Sequence, residues 1–551
     1  MSSVHEKQVQ IVRFFTHSEP RPSKGTYDID LRLKGLGRLP KGVLFSDFNV
    51  VHLNEARELY EILYEAKDFE DFVILAEQAR RLVNEGLFQY ALSVAILHRD
   101  DLIGVKVPSY QEARPDLFIP AETIFQAIKA DRKRTDDQPI TVNIFETGNK
   151  LDPENRLAYF REDIGINAHH YHWHVVYPFT WRPDVMHKIK DRKGELFYYM
   201  HQQMMARYDS ERLGLGFQRV IPFHNFSEKF GGYASHLTSF IDDPDDVDPE
   251  TSSNFASRPV GLGLHDLNRD GLKSSVEELE RWKDRLMQAT HLGVVIDESG
   301  KVVPLTTETG IDKLGALVEA SILSINSTYY GNFHNTAHIM ISLVHDPDGR
   351  YKVKYQHVDH EPFSYEIKCE NTTGSPKKAT VRIFLAPVYD ELGRAIPLSE
   401  QRRFFIELDR FQATLTAGKN TITRKSIESS VTSKISPSFE ELIRGDKGTE
   451  GDDSYCSCGW PDYFLIPKGN HKGMDFVLFV MFTDYAKDRV DGPNTVPECG
   501  NASSYCGIKN QKYPDKRAMG FPFDRVIKAK STKDFLLPNM KLQNVKIQFK
   551  E

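Results

Sequence analysis

No stretch of this 551-residue chain carries the roughly 18 consecutive apolar residues that a membrane-spanning helix needs; runs such as Phe476 to Phe482 are far shorter. An excess of positive charge is missing too. The 71 Lys and Arg face 78 Asp and Glu, a net charge of −7, so there is no global footprint for nucleic acid. Met1 to Gln10 are polar and hold no apolar core of a secretion signal. No unit of about 20 to 50 residues repeats, which sets solenoids and propellers aside. These absences exclude a membrane protein, a collagen, a small disulfide scaffold and a disordered tail. What is present, 40% hydrophobic and 27% charged residues, suffices for a sizeable core. At about 150 residues per domain, the length predicts three or four domains.

Cysteine is scarce but clustered. Of five, Cys456, Cys458, Cys499 and Cys506 lie near the C-terminus, and Cys369 stands alone. The spacing lacks the C-x₂-C pairs of a zinc ribbon and fits two disulfides in an extracellular domain, with reduced cytosolic thiols as the alternative. Glycosylation sequons at Asn225, Asn326, Asn371 and Asn501 lean the same way. The polar start of the chain pulls against this. Release without a classical signal, or a leader outside this sequence, reconciles the two.

The first third reads helical: Phe72, Leu75, Ala76, Ala79, Leu82 and Val83 recur at three- and four-residue steps over Asp71 to Val83. The middle third, about 155–350, reads helical and rich in His and aromatics. Pro178 ends one helix, Glu195 to Leu213 forms another, and two runs fill Asp312 to Val344 up to the turn Asp346-Pro347-Asp348-Gly349. Asp242 to Glu250 reads as a solvated acidic loop, with calcium as a minor alternative. From Val353 the texture becomes short strands between Gly, Pro and Asn turns: Thr380 to Leu385, Phe405 to Phe411, Phe476 to Phe482, and Val545, Ile547 and Phe549. That pattern predicts an antiparallel sandwich.

Twenty His in this length give about 0.7 His-x₃-His pairs by chance, and the chain has two, His170/His174 and His334/His338. Four-residue spacing sets both rings on one helix face, able to grip one metal. Neither pair carries the Glu of H-E-x-x-H, so a zinc protease lacks its general base. Imidazole-only donors suit copper or zinc rather than magnesium or calcium. Two pairs in one bundle would hold two metals facing each other. His201, mid-helix, is the natural third ligand of the first. His169 and His172 have no partner four residues on. The plain alternative is a set of core or surface histidines.

The wording around the pairs goes further. Asn167 to Pro178 (NAHHYHWHVVYP) resembles the first copper motif of arthropod hemocyanins and prophenoloxidases; Tyr199 to Met204 resembles their third copper-A segment, and Tyr330 to His338 the start of copper B. His360 to Tyr365, Ile383 to Pro387, Cys456 to Pro461, Ser504 to Gly507 and Ala518 to Arg525 also match, and Phe535 to Met540 looks most like chelicerate hemocyanins. The resemblance covers nearly the whole chain. It implies a multidomain α+β fold: an all-α N-terminal domain (1–154), a helical bundle with a type-3 dicopper centre (155–351) and a C-terminal antiparallel immunoglobulin-like β-sandwich (352–551). It implies a secreted hemolymph oxygen carrier rather than an enzyme, assembled with homologous subunits as hexamers or multiples. Dioxygen would bind reversibly between two coppers, each held by three His. Copper A takes His170, His174 and His201, and copper B takes His334 and His338. The resemblance also pairs Cys456 with Cys499 and Cys458 with Cys506. Within Phe45-Ser46-Asp47-Phe48 it assigns a site-shielding Phe, with Phe45 the first choice and Phe48 the second.

The chain departs from the family in one place. After Arg350-Tyr351 it runs almost directly into β-domain sequence. Several tens of residues are absent, with the last bundle helix, the third copper-B His and the opening strands of the sandwich. His345 is seven residues past His338, about 10 Å along a helix and too far to share its metal. His357 and His360 lie in the β-domain motif. The expectation is a deletion form with impaired oxygen binding. The competing functions are phenol oxidation at the same copper pair and a copper-poor storage subunit.

Overall fold

The computed structural model describes residues 3–16, 29–131, 141–143, 151–235, 237–240, 252–254, 258–269, 271–341, 352–354, 357–433, 436–445, 459–491 and 510–550. In the N-terminal region α1 (Val4–Phe15), α2 (Val50–Tyr64), α3 (Phe69–Leu82) and α4 (Glu85–His98) pack together. The periodicity over Asp71 to Val83 is met by α3, which starts two residues earlier because Asp68 caps the amide of Asp71. From Leu87 to His98 every residue of α4 is buried, since this apolar-all-round helix is the centre of its layer.

The bundle is built on α5 (Ile164–Val176), α6 (Lys193–Gly214), α7 (Val276–Leu292), α8 (Gly310–Glu319) and α9 (Phe333–Ile341). Asp163 starts α5 through the Ile166 amide, and the chain leaves the helix at Tyr177, one residue before Pro178. At the crossing of α6 and α8, a Cβ on Gly315 would meet the Gly194 carbonyl oxygen at 1.9 Å, so only glycine permits this approach. The wholly helical reading of the middle third needs one correction. Three two-stranded ribbons interrupt it, pairing 238–240 with 252–254, 267–269 with 272–274, and 294–296 with 302–304. Strands of three residues are too short to show a period.

The β domain has a four-stranded antiparallel sheet in the order β3–β2–β5–β6, made of β2 (Lys377–Pro387), β3 (Ile406–Leu415), β5 (Met474–Asp484) and β6 (Met540–Ile547). A second pair joins β1 (Ser364–Asn371) to β4 (Gly418–Lys425). From Ala379 to Pro387, β2 is continuously buried. Val381, Ile383 and Leu385 join the main core with Tyr365, while Phe384 and Ala386 face Phe479 and Phe523 in a second cluster. Packing on both faces explains the unbroken apolar run. All-α domain, helical bundle and antiparallel β domain follow each other along the chain as expected. Among the described residues no helix is long and apolar enough to cross a membrane. The segments bearing Cys456, Cys458, Cys499, Cys506, Asn501, His345 and the Asp242 to Glu250 loop lie outside the described residues; Cys369 is a free thiol.

Candidate metal centre

Two helices from different parts of the chain bring the histidine pairs together. On α5 the Nε2 atoms of His170 and His174 are 3.1 Å apart, and on α9 those of His334 and His338 are also 3.1 Å apart. His201, from α6, stands between the pairs, its ring centroid 5.9 Å from His170 and 5.9 Å from His334. All five predicted ligands thus share one site. Gly331 lets the α9 pair arrive: with φ at 76° it turns the chain into the helix, and a Cβ there would lie 2.1 Å from the Trp282 ring.

Three phenylalanines enclose the rings. Phe48 stacks on His338 at 4.0 Å between centroids and touches His174 at 5.5 Å and His334 at 5.8 Å, so it spans both pairs. Phe179 lies 4.9 Å from His174, and Phe197 4.3 Å from His201. Sequence reasoning missed these last two as lining residues. The available signals were the position of Phe179 after Pro178 and of Phe197 one helical turn before His201. Of the two shield candidates, Phe48 is the one that reaches these rings. Phe45 packs against Tyr90 and His52, and Phe48 alone of the two meets the site histidines.

Burial, and then the neighbouring histidines, push His170, His174 and His334 well below the usual imidazole range. His338 falls to about 4 and His201 is lowered, both chiefly by burial. The rings are therefore neutral at pH 7, as metal ligation requires. Tautomers follow from partners. The His201 Nδ1–H donates to the Phe197 carbonyl at 2.7 Å and the His334 Nδ1–H to Asn335 Oδ1 at 3.1 Å. In both, Nε2 is left as the nitrogen with the lone pair, and that of His334 faces His338 Nε2 at 3.1 Å. The buried Nδ1 of His174 has no hydrogen-bond partner.

Among the described residues no group of three or more His, Cys, Asp or Glu is arranged so that it could hold a metal ion as it stands. The donor set nonetheless fits copper: five neutral imidazoles, four of them in Nε2 pairs, with no carboxylate among them. His357 and His360 serve the β domain instead. His357 stacks on Tyr463 at 4.0 Å, and His360 Nε2 faces the Asp462 carbonyl at 3.2 Å. His169 packs on Trp460 at 4.5 Å, away from the site.

Asp163, the cap of α5, carries a pH dependence. It is only 6% exposed, and burial pushes its carboxyl from an ordinary 3.8 up to about 6, against the opposing Ile166 amide and Tyr463 hydroxyl. A raised carboxyl resists ionisation in the fold, so its contribution to stability is full below 3.8 and is lost as pH rises through 6. Asp163→Asn keeps the cap and cannot ionise. The stability gap between variant and parent, read from urea titrations, should move by about 3 kcal/mol in the variant's favour between pH 3 and pH 7. An unchanged gap would mean that Asp163 is no harder to ionise in the fold than in the unfolded chain.

Comparison with known proteins agrees with this geometry. Residues 31–104 match the model of the hemocyanin all-alpha domain, 109–363 the hemocyanin copper containing domain, and 297–549 the hemocyanin ig-like domain. The chain is 50% identical to the hemocyanin F chain of Aphonopelma sp. and 44% identical to hemocyanin II of Limulus polyphemus, in both cases over 100% of each chain. The first alignment runs over 638 positions against 551 residues here, which leaves about 87 positions of that relative without a counterpart. Among solved structures, an activated-state scorpion hemocyanin superposes with a TM-score of 0.90 at 45% identity over 100% of each chain. A crustacean hemolymph-type prophenoloxidase superposes at 0.82 with 25% identity, over 99% of this chain and 96% of that one. The histidine pairs, the three domain matches and full-length identity of 44–50% place this chain in the hemocyanin family.

Proposed function

We propose that this chain is a hemolymph oxygen carrier, a hemocyanin subunit that binds dioxygen reversibly at a pair of coppers. The observation that carries the reading is the convergence of five neutral imidazoles beneath Phe48. Copper, when bound, supplies the two electrons that dioxygen takes up and returns. The protein's own part is to hold His170, His174 and His201 on one metal and His334 and His338 on the other. It keeps them uncharged and uses Phe48, Phe179 and Phe197 to exclude water. Only two described histidines serve the second copper, which is therefore the weaker site, and oxygen binding is impaired. Domain limits at 154/155 and 351/352, the disulfides Cys456–Cys499 and Cys458–Cys506, hexameric assembly and a secreted location complete the reading.

Phenol oxidation is the second reading, favoured by the likeness to a crustacean prophenoloxidase. Phe48 argues against it, since its ring lies face to face on His338 at an interplanar angle of 7°. Retention of five ligands argues against a copper-poor storage protein. The test is a near-ultraviolet spectrum under air and under nitrogen, with copper counted per chain. We expect one firmly held copper, and an oxygen-dependent band only when copper is in excess. Two firmly held coppers with a full band would remove the impairment. No bound copper would overturn the carrier.

A further inference from the structure

The first copper site is assembled from two helices, and a turn of the β domain grips both. Trp460 to Leu465 is anchored in its own domain by the Trp460 amide on the Val431 carbonyl at 2.9 Å, with Trp460 fully buried. From there the Tyr463 hydroxyl donates to Asp163 Oδ1 at 3.0 Å, and Asp163 in turn caps α5 through Ile166 at 2.8 Å. Gly165 makes room for this: a Cβ there would lie 2.2 Å from the Tyr463 hydroxyl and 2.8 Å from Pro461. The same turn reaches α6. Arg207 Nη1 donates to the carbonyls of Phe464 at 2.6 Å and Leu465 at 3.1 Å, and its guanidinium lies 5.1 Å from the Trp460 ring.

His201 is held from the same side. Two residues before it, the Tyr199 hydroxyl donates to Glu407. Two residues after it, Gln203 accepts from the Glu407 amide at 2.7 Å and donates to the Phe405 carbonyl at 3.0 Å, taking the place of a neighbouring strand beside β3. The side chains two residues before and two residues after His201 are thus both tied to the β domain. The helix of His170/His174 and the helix of His201 meet directly at Trp173–Phe197, 6.1 Å between ring centroids, and both are also held by the β domain.

We propose that the Trp460 to Leu465 turn is the positioning clamp of the first copper site, fixing His201 relative to His170 and His174 through Tyr463–Asp163 and Arg207. The inference rests on the copper reading above. Tyr463 is a positioning residue, because it acts only through the helix that carries the ligands. His357 stacks on Tyr463 at 4.0 Å and so packs the turn from a second side.

The test uses the full chain carrying His334→Ala and His338→Ala, which leaves only the first site, titrated with Cu(II) against a competing chelator. Tyr463→Phe removes one hydroxyl and keeps the ring packing. It should weaken copper by about tenfold, the lower end of the effect of removing a group that supports a metal ligand. The electron paramagnetic resonance pattern of the bound Cu(II) should change with it. Tyr365→Phe, which removes a buried hydroxyl without a hydrogen-bond partner in the same domain, should change neither. Parental affinity and spectrum in Tyr463→Phe would overturn the clamp. So would an equal loss at the second site in the converse His170→Ala/His174→Ala background, which would mean general loosening. A parent chain that binds no copper in either background would instead remove the copper reading, and the clamp with it.

Discussion

Titrating the copper-loaded chain with a chelator should strip the metal in two separated steps. On the ligand assignment proposed above, the first step removes the copper on His334 and His338, and the second the copper on His170, His174 and His201. Losing a group that merely supports a ligand costs 10- to 100-fold in affinity, so a copper held by two histidines, as proposed for the second site, should be weaker by at least about 100-fold, or roughly 3 kcal/mol, than one held by three. The assignment of steps is checked by substitution. His338→Ala should abolish the early step and leave the late one, and His174→Ala should do the reverse. A single step releasing both metals would show equal sites, with a third ligand on the second copper from outside the described residues.

Much of this site was legible in the sequence because a helix converts spacing into geometry. His170/His174 and His334/His338 needed only the four-residue step, and each pair has its Nε2 atoms 3.1 Å apart. His201 was reached through its mid-helix position and the likeness of its surroundings to the family. The shield was not legible to the residue. Phe45 and Phe48 lie in a turn with no period to give direction, and the turn is set by Asn49, whose side chain accepts from the Val51 amide to start α2. Phe45 is drawn instead against Gly86 and Tyr90, inside the N-terminal layer. The clamp was invisible for another reason. Asp163, Arg207 and Tyr463 are up to 300 positions apart, and each alone reads as an ordinary cap, surface charge or core aromatic.

Phe48 gives the second large expected effect. It is the one enclosing side chain that arrives from the N-terminal domain, and its ring covers His338 while bridging to His174. Phe179 and Phe197 come from the bundle itself, 4.9 Å from His174 and 4.3 Å from His201. Truncation of Phe48 therefore opens the site without displacing a histidine. Phe48→Ala should raise catechol oxidation by the copper-loaded chain by at least about tenfold, since one ring's removal changes access rather than ligation. It should also lower stability by about 1 to 3 kcal/mol, below the range for a fully buried Phe→Ala, because the ring is only partly buried. Copper content should stay at the parental level. Phe45→Ala is the matched comparison: it removes a ring from the same turn that faces Tyr90 and His52, and should leave oxidation unchanged. Equal oxidation by the two variants would place the barrier to phenols elsewhere. A rise with Phe45→Ala alone would return the shielding role to Phe45, against the geometry of the rings.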